Sequence, residues 1–204
     1  GDDNDIEAKG LSQISQRSLP DEVRGRPGVF VGDLGSGGVA QLVAQLVDPA
    51  LDAHLSGEVS RIELDIEDDH FCVRDDGPGL AAQDLSPTAH GVRGLGVAAT
   101  RFGGRRPGLH LSLGLVNSLS RRVEIETCRH GTKRRWVFEH SRAVVTNENV
   151  GSCRASGTSV RVWPDPAVFR VTRPDHVELE QRLLGAHRVR PSLTVLLDGA
   201  RFAD

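Results

Sequence analysis

The sequence predicts an α+β fold, in which helices cover one face of a mixed β-sheet to form a two-layer α/β sandwich. Two segments carry apolar residues at the spacing of an amphipathic helix, and several shorter runs alternate apolar and polar residues as half-buried strands do. Along the chain these segments follow the order helix, hairpin, loop, helix, strands, helix and strand. A sheet with helices on one side accommodates that order.

The start of the chain lacks a strong structural pattern. Residues 1–20 show no hydrophobic periodicity and end at Pro20, so we expect an N-terminal arm that is either mobile or docks elsewhere, followed by one domain over residues 21–204. The segment RPGVFVGD, residues 26–33, combines a turn signal with a short apolar run. It predicts a turn that leads into a strand.

A long amphipathic helix is predicted from residue 39 to residue 55, with an end signal at Ser56 and Gly57. Pro49 lies inside it and removes the backbone hydrogen bond to the carbonyl group of Gln45, at a cost of about 3 kcal/mol. We therefore expect a kink or a break between Gln45 and Pro49. The apolar residues that define the helix are Val39, Leu42, Val43, Leu46, Val47, Leu51 and Leu55.

The middle of the chain begins with a predicted hairpin, because RIELDIED and HFCVRDDG both alternate apolar and polar side chains. Residues 80–108 are rich in glycine, and a short helix is expected at about residues 94–102. The segment LHLSLGLVNSLS, residues 109–120, then predicts a buried helix.

The last part of the chain predicts three strands, a helix and a final strand. The strands are RRVEIETCRH, KRRWVFEHS and GTSVRVWPD, with turns at residues 130–131 and over residues 146–156. HVELEQRLLGAHRV has the pattern of an amphipathic helix, and SLTVLLDG that of the final strand.

The composition narrows the classes of function. A net charge of −3 and a charged fraction of 26% are typical of a globular protein rather than of one that coats nucleic acid. The apolar runs are shorter than the roughly 20 residues of a membrane helix, and the start GDDND is unlike a secretory signal. We therefore expect a cytoplasmic protein with no membrane partner. Cys72, Cys128 and Cys153 show no metal or redox spacing and are predicted to be reduced thiols.

Five segments carry a family resemblance: RPGVFVGD, LVDPALDAHLSG, VRDDGPGL, GLHLSLGLVNSLS and GTSVRVWPD, in this order. Together they resemble the ATP-binding domain of the gyrase B subunit and its topoisomerase IV counterpart, members of the GHKL superfamily. The resemblance extends over about residues 26–204 and implies the Bergerat fold, in which ATP and magnesium bind between helices and sheet. It also implies that the sequence contains no transducer domain. Because the sequence has no methionine, even at position 1, we expect it to be part of a longer chain.

The resemblance places a base-binding site around the turn after the second strand. Asp75 matches the carboxylate that accepts a hydrogen bond from the adenine amino group, and Gly77 and Gly79 match glycines that let the backbone approach the base. Thr158 matches a threonine that supports the same contact. Arg129 matches an arginine just outside the pocket that is associated with aminocoumarin inhibitors.

The residues that the family uses for hydrolysis are replaced. On the first long helix, the resemblance aligns Gln45 with the glutamate that acts as general base and Pro49 with the asparagine that binds magnesium. A glutamine does not accept a proton at neutral pH, and a proline has no side-chain oxygen for a hard cation. Ala53 and Pro78 also replace charged residues of the family. The sequence therefore predicts no metal ligand at this helix.

The family's glycine-rich phosphate loop aligns with GLHLSL, residues 108–113. Gly108 is kept, whereas Leu111 and Leu113 stand where glycines would expose backbone N–H groups to the phosphates. The lid that precedes Gly108 is also shorter than the lid of the family. A second candidate for a phosphate loop, GVRGLG at residues 91–96, remains open.

The sequence thus predicts a gyrase B-like domain that has lost ATP hydrolysis, for which ATP and magnesium are weak or lost ligands. One alternative is an active ATPase of a divergent type II topoisomerase, with Asp48, which is expected to border the pocket, or Asp52 as a substitute base. Another is a sensor or decoy that binds an adenine-like or aminocoumarin-like molecule at Asp75, Thr158 and Arg129. A third is a scaffold whose partner is a topoisomerase or a second copy. DNA is an expected partner only within a larger parent protein.

Overall fold

The computed structural model describes residues 19–81, 85, 87–88, 91–92 and 107–202. The helices in this part of the chain are α1 (Leu19–Gly25), α2 (Pro27–Val31), α3 (Ser36–Leu55), α4 (Pro107–Ser118) and α5 (His176–Val189). The strands are β1 (Arg61–Ile66), β2 (Phe71–Asp75), β3 (Pro87–Thr88), β4 (Gly91–Val92), β5 (Ser120–Arg129), β6 (Thr132–Glu139), β7 (Arg142–Ser152), β8 (Gly157–Pro164), β9 (Thr194–Leu197) and β10 (Ala200–Arg201).

One large sheet organises the domain. Its strand order is β10-β9-β1-β2-β8-β5-β6-β7, and β3 pairs separately with β4. Strands β1 and β9 are parallel, whereas the other neighbours in the large sheet are antiparallel. The predicted α+β class with a mixed sheet is therefore confirmed, as are the β1–β2 hairpin, the helices α4 and α5 and the strand β9.

The hydrophobic core lies between one face of this sheet and the helices. Helix α3 contacts β2, α4 contacts β5 and α5 contacts β9. Side chains opposite one another on neighbouring strands point to the same face, so the buried residues form rows across the sheet. One such row consists of Leu64, Val73, Val160, Ile125 and Trp136.

The opposite face of the sheet carries several pairs of opposite charges. Arg74 Nε donates to Glu63 at 3.1 Å, and Arg122 Nη2 lies 2.7 Å from Glu124. One buried and one solvated face is the usual arrangement for antiparallel strands. The helices therefore cover a single face, as predicted.

Helix α1 brings the chain into the domain. Residues 19–20, which the predicted arm includes, begin this helix, and residues 1–18 lie outside the described part of the chain. Arg24 attaches α1 to the rest of the domain. Its Nη2 lies 2.8 Å from the buried carboxylate of Asp165, and its Nη1 donates to the carbonyl oxygen of Ser118 at 3.2 Å.

The strand predicted within residues 26–33 is wrong, because Pro27–Val31 form helix α2. A proline in the first helical turn removes no internal hydrogen bond. Val29 and Phe30 are 75% and 40% exposed, so this apolar run is not the buried face of a strand. Gly32, with a φ of 73°, ends the helix.

Helix α3 is continuous over Ser36–Leu55, so the predicted interruption between Gln45 and Pro49 is wrong, whereas the predicted end of the helix is confirmed. The kink expected there stays a prediction. The missing backbone bond is a local cost. Burial of one large aliphatic side chain contributes about 1.5–3 kcal/mol, and α3 buries several on both sides of the proline. These residues are Leu42, Val43, Leu46, Val47 and Leu51.

The turn predicted over residues 146–156 is wrong for much of its length, because β7 continues to Ser152. β7 is an edge strand whose side chains are nearly all exposed. It therefore has no alternation of apolar and polar residues that would identify it in the sequence.

Cys128 and Cys153 form a disulfide, which corrects the prediction of three reduced thiols. The two residues are 25 positions apart, but β5, β6 and β7 form a meander that returns the end of β7 to the end of β5. The Cα–Cα distance of 6.2 Å lies within the range for a disulfide. Cys72 remains a buried thiol.

Two predictions concern residues that lie outside the described part of the structure. The short helix at residues 94–102 lies outside the described part, as does most of GVRGLG, of which only Gly91 and Val92 are seen, in β4. Among the described helices, none is long and apolar enough to cross a membrane.

Candidate functional site

The site forms where the apolar rows of the sheet give way to polar residues. Asp75, the last residue of β2, pairs with Thr158 of β8, and Thr158 pairs with Thr127 of β5. The register places this row next to the apolar row of Val73, Val160 and Ile125, on the same helix-facing side. The structure thus brings Asp75 and Thr158 together, as the resemblance implies. We name Asp75, Thr158 and Thr127 the polar row.

Thr127 joins the members of this site to one another. Its Oγ1 accepts a hydrogen bond from the backbone N–H of Leu80 at 2.7 Å, donates to the carbonyl oxygen of Gly157 at 3.2 Å and lies 3.3 Å from Thr158 Oγ1. Thr127 and Thr158 are 2% and 5% exposed. Sequence reasoning missed Thr127, although the alternation of RRVEIET puts it in phase with the buried Val123 and Ile125.

The turn that follows Asp75 holds its two carboxylates in different environments. Asp75 Oδ1 accepts a hydrogen bond from Gly77 N–H at 2.8 Å. Asp76 Oδ1 accepts from the backbone N–H groups of Ser60 and Arg61 at 2.8 and 2.9 Å. Partial burial by itself raises the pKa of Asp76, but a hydrogen bond from the Ser60 hydroxyl group to Oδ2, together with the two backbone hydrogen bonds, outweighs it and lowers the pKa below the ordinary value. Asp76 therefore anchors the turn to the start of β1.

Two glycines allow the turn to pack closely on the sheet. Gly79 has a φ of 80°, and a Cβ atom there would lie 2.4 Å from the carbonyl oxygen of Cys128. A Cβ atom at Gly157 would lie 2.5 Å from the carbonyl oxygen of Asp75. The contact seen at Gly79 is thus with β5. Its predicted role in letting the backbone approach a base stays a prediction, as does that of Gly77.

Arg129 lies at the end of β5, beside the turn. Its Nη1 is 3.4 Å from the carbonyl oxygen of Gly79. With Leu80 and Thr127 it lines a surface cavity of about 390 Å³. The structure therefore places Arg129 beside the turn and next to Thr127 of the polar row.

Helix α3 presents the positions that the resemblance assigns to hydrolysis. Gln45 and Pro49 are both partly buried. Ser112 of α4, itself 7% exposed, donates from Oγ to Gln45 Oε1 at 3.4 Å. The side chain at the general-base position is thus in contact with the neighbouring helix.

Asp48 lies at the contact between α3 and α5. Its carboxylate is half-exposed and lies 3.4 Å from Arg182 Nη1. Partial burial raises the pKa of Asp48 above its ordinary value, although the charge of Arg182 opposes this. The contact seen for this carboxylate is with α5, and its predicted place at the pocket stays a prediction. Asp52 is exposed on the same helix.

Helix α4 occupies the segment that aligns with the phosphate loop. It begins at Pro107 and includes Gly108, so from Leu111 onward its backbone N–H groups lie beyond the first four and donate within the helix. Leu113 is 1% exposed and belongs to the hydrophobic core. The side chain of Leu111 lies outside the described part of the structure. Among the described residues, no group of three or more His, Cys, Asp or Glu side chains could hold a metal ion.

The mixed sheet covered by helices on one face is consistent with the GHKL fold. Residues 36–168, more than half of the chain, match the family described as histidine kinase-, DNA gyrase B- and HSP90-like ATPase, and the chain belongs to this family.

Several relatives are DNA gyrase B subunits. The chain is 31% identical to that of Mycobacterium tuberculosis strain H37Rv, over 94% of this chain and 30% of the subunit. It is 28% identical to that of Campylobacter jejuni, over 91% of this chain and 26% of the subunit. It is 31% identical to that of Clostridium acetobutylicum, over 84% of this chain and 29% of the subunit. The chain thus spans less than a third of the length of these relatives.

Proposed function

We propose that this gyrase B-like domain binds the base of an adenine-like ligand but does not hydrolyse ATP, and that it serves as a binding or regulatory module. The observation that carries the proposal is the hydrogen bond from Ser112 to Gln45 at the general-base position. An amide in this place accepts no proton at neutral pH. Loss of a general base lowers a rate by a factor on the order of 10² to 10⁴.

The metal position supports the same proposal. Magnesium requires oxygen ligands in a nearly octahedral arrangement. Pro49 supplies no side-chain oxygen at the position that the resemblance aligns with the magnesium ligand. The hydrolytic centre lacks both a base and a ligand on this helical turn.

The phosphate side supports it as well. A phosphate loop binds its ligand through backbone N–H groups that have no other partner. In α4, the N–H groups from Leu111 onward are used in the helix, and Leu113 is packed into the core. A triphosphate therefore finds few donors along this segment.

The register of β2 and β8 supports the base-binding part of the proposal. The carboxylate of Asp75 and the hydroxyl group of Thr158 lie side by side on neighbouring strands. A carboxylate accepts hydrogen bonds and favours a ligand with an amino group. We therefore assign Asp75, Thr158, Gly77 and Gly79 to binding of the base.

Calorimetric titration tests this division. We expect adenosine to bind, and ATP with Mg²⁺ to bind no more tightly than adenosine. Asp75→Asn should weaken adenosine binding at least tenfold, whereas Asp52→Asn, which changes an exposed carboxylate of α3, should leave it unchanged. Binding of ATP that Mg²⁺ strengthens tenfold or more would contradict the proposal.

A second candidate is a sensor of larger inhibitors of the aminocoumarin type. Arg129 favours it, because it lines the 390 Å³ cavity beside the polar row. An aminocoumarin should then raise the melting temperature, and Arg129→Ala should abolish the shift while His130→Ala, in the same cavity wall, preserves it. Equal shifts in both variants would exclude this candidate.

Activity of a divergent topoisomerase is disfavoured by the position of the substitute base. The carboxylate of Asp48 lies 3.4 Å from Arg182 Nη1 of α5, so it is engaged in an ion pair at the contact between α3 and α5. The names of the relatives nonetheless make a topoisomerase subunit or a second copy of this chain the partners to test first, by size-exclusion chromatography of mixtures.

A further inference from the structure

We propose that Thr127 is the positioning residue of the base site, because its hydroxyl group fixes both the turn after Asp75 and the direction in which the Thr158 hydroxyl group bonds. This inference rests on the proposed function for the identity of the ligand. The claim that Thr127 fixes the turn does not depend on any ligand.

The hydrogen-bond capacity of one hydroxyl group leads to the assignment. A threonine hydroxyl group has one proton to donate and two lone pairs that accept. The N–H of Leu80 occupies one lone pair, and the carbonyl oxygen of Gly157, which only accepts, takes the proton. The second lone pair of Thr127 then faces Thr158 Oγ1 at 3.3 Å and receives its proton.

The consequence for Thr158 is that its own proton is already committed. Toward a ligand or a water molecule, its oxygen then offers lone pairs only. Because the carboxylate of Asp75 on the neighbouring strand also only accepts, the polar row presents two acceptors side by side. Such a pair favours a purine that carries an amino group at position 6 and disfavours one that carries an oxygen atom there.

Because Thr127 is buried, the loss of any of these hydrogen bonds leaves a polar group without a partner. Thr127 is 2% exposed, so water does not replace a lost partner. The turn also packs directly on the hydroxyl group, since a Cβ atom at Gly79 would lie 2.9 Å from Thr127 Oγ1. A valine at position 127 keeps the shape of the side chain but leaves the Leu80 N–H without its acceptor.

Amide exchange of the ligand-free protein gives the first test. In Thr127→Val the Leu80 amide should exchange at least tenfold faster than in the wild type, because its acceptor is lost. Thr127→Ser keeps the hydroxyl group and should restore slow exchange. Thr194→Val, in β9 on the far side of the sheet, is the matched control and should change nothing at Leu80. Slow exchange in Thr127→Val would overturn the proposal.

Discrimination between adenosine and inosine gives the second test. With Thr127→Val, the Thr158 proton is released and can be donated to a 6-oxo group, so the ratio of the inosine Kd to the adenosine Kd should fall at least fivefold. Thr127→Ser should keep the wild-type ratio. A structural loss would weaken both nucleosides alike, and that result would overturn the proposed role in specificity.

The two tests separate this inference from the proposed function. If the wild type binds neither nucleoside, the base site fails, while Leu80 exchange still decides whether Thr127 holds the turn. If Thr127→Val does not fold, as judged by its melting curve, Thr127→Ala and Thr127→Ser replace it in the exchange comparison. If the Leu80 amide then exchanges equally slowly in Thr127→Ala and Thr127→Ser, the proposal is overturned.

Discussion

Ser112 Oγ donates a hydrogen bond to Gln45 Oε1 across the contact between α4 and α3, at 3.4 Å. The resemblance aligns one residue with a general base and the other with a phosphate loop, two parts that serve hydrolysis. In this chain they contact each other, and the two helices also supply Leu46 and Leu113 to the hydrophobic core. The pair therefore has the character of a structural contact.

Replacement of the proline in α3 should stabilise the protein. Pro49→Ala restores the backbone hydrogen bond to the Gln45 carbonyl group in a helix that is already continuous. Relative to alanine, an interior proline costs about 3 kcal/mol, so the free energy of unfolding should rise by up to about that amount. Urea denaturation measures the change. Asp52→Ala, also on α3 but exposed, should stay within about 0.5 kcal/mol of the wild type, and an unchanged or lower stability of Pro49→Ala would refute the explanation.

The disulfide should contribute a large share of the stability of the β5–β7 meander. Cys128 and Cys153 close a loop with a separation of 25 residues, for which the chain-entropy relation gives about 3.5 kcal/mol. Addition of a reductant, or Cys153→Ser, should lower the free energy of unfolding by this order. Cys72→Ser is the control, because Cys72 is a thiol and its variant should keep the response to reductant. Identical denaturation curves with and without reductant would contradict the bond.

Close packing at Gly79 should be distinguishable from backbone strain alone. Gly79 and Gly199 both have a φ of 80°, but only at Gly79 would a Cβ atom meet other atoms, the nearest at 2.4 Å, whereas at Gly199 none lies within 4 Å. In both alanine variants, backbone strain at this positive φ should destabilise the native state by about 1–2 kcal/mol. Gly79→Ala should lose at least about 1 kcal/mol more, since overpacking typically costs 1–3 kcal/mol. Equal melting temperatures of the two variants would show that the turn can move away from β5.

The ion pair between Arg24 and Asp165 should give the stability a dependence on acid pH. Burial by itself raises the pKa of Asp165, but hydrogen bonds from the Ala167 N–H and Arg24 outweigh it and lower the pKa below the ordinary value. The native state therefore binds this proton less readily than the unfolded state. The stabilisation is complete above the ordinary pKa of an aspartate, about 4, and is lost as the pH falls through the lower native value.

Asp165→Asn tests this dependence. It should lower the free energy of unfolding at pH 7 by about 2 kcal/mol, less than for a fully buried pair because Arg24 is partly exposed, and it should flatten the loss of stability below about pH 4. Asp68→Asn, at a side chain that is 94% exposed, serves as the control. If Asp165→Asn loses stability below about pH 4 as steeply as the wild type does, this carboxylate is not the source of the pH dependence.

Much of the fold follows from patterns within single segments. The alternation in β1, β2, β5 and β8 and the helical spacing in α3 and α5 specify buried faces, and the structure buries those faces. What the sequence did not predict depends on partners elsewhere in the chain. Strand β7 has exposed side chains and forms only because β6 lies beside it. The Cys128–Cys153 bond forms because the β5–β7 meander brings the two cysteines close together.

The candidate site divides in the same way. Asp75 and Thr158 could be placed from motifs, because each follows or begins a recognisable strand. Thr127 could not, since its importance arises from the register that sets it opposite Thr158 and from the turn that brings the Leu80 N–H to its hydroxyl group. The predicted break at Pro49 failed because local propensity was weighed without the apolar residues that α3 buries on both sides.

The most direct test of the central proposal is the release of inorganic phosphate from ATP in the presence of Mg²⁺ by the wild-type domain. Because the resemblance aligns Gln45 and Pro49 with the general base and the magnesium ligand, we expect no release above a protein-free control, under conditions in which adenosine binding is measurable. Asp75→Asn serves as the control that links any activity to this site. Saturable, Mg²⁺-dependent phosphate release that Asp75→Asn abolishes would contradict the account.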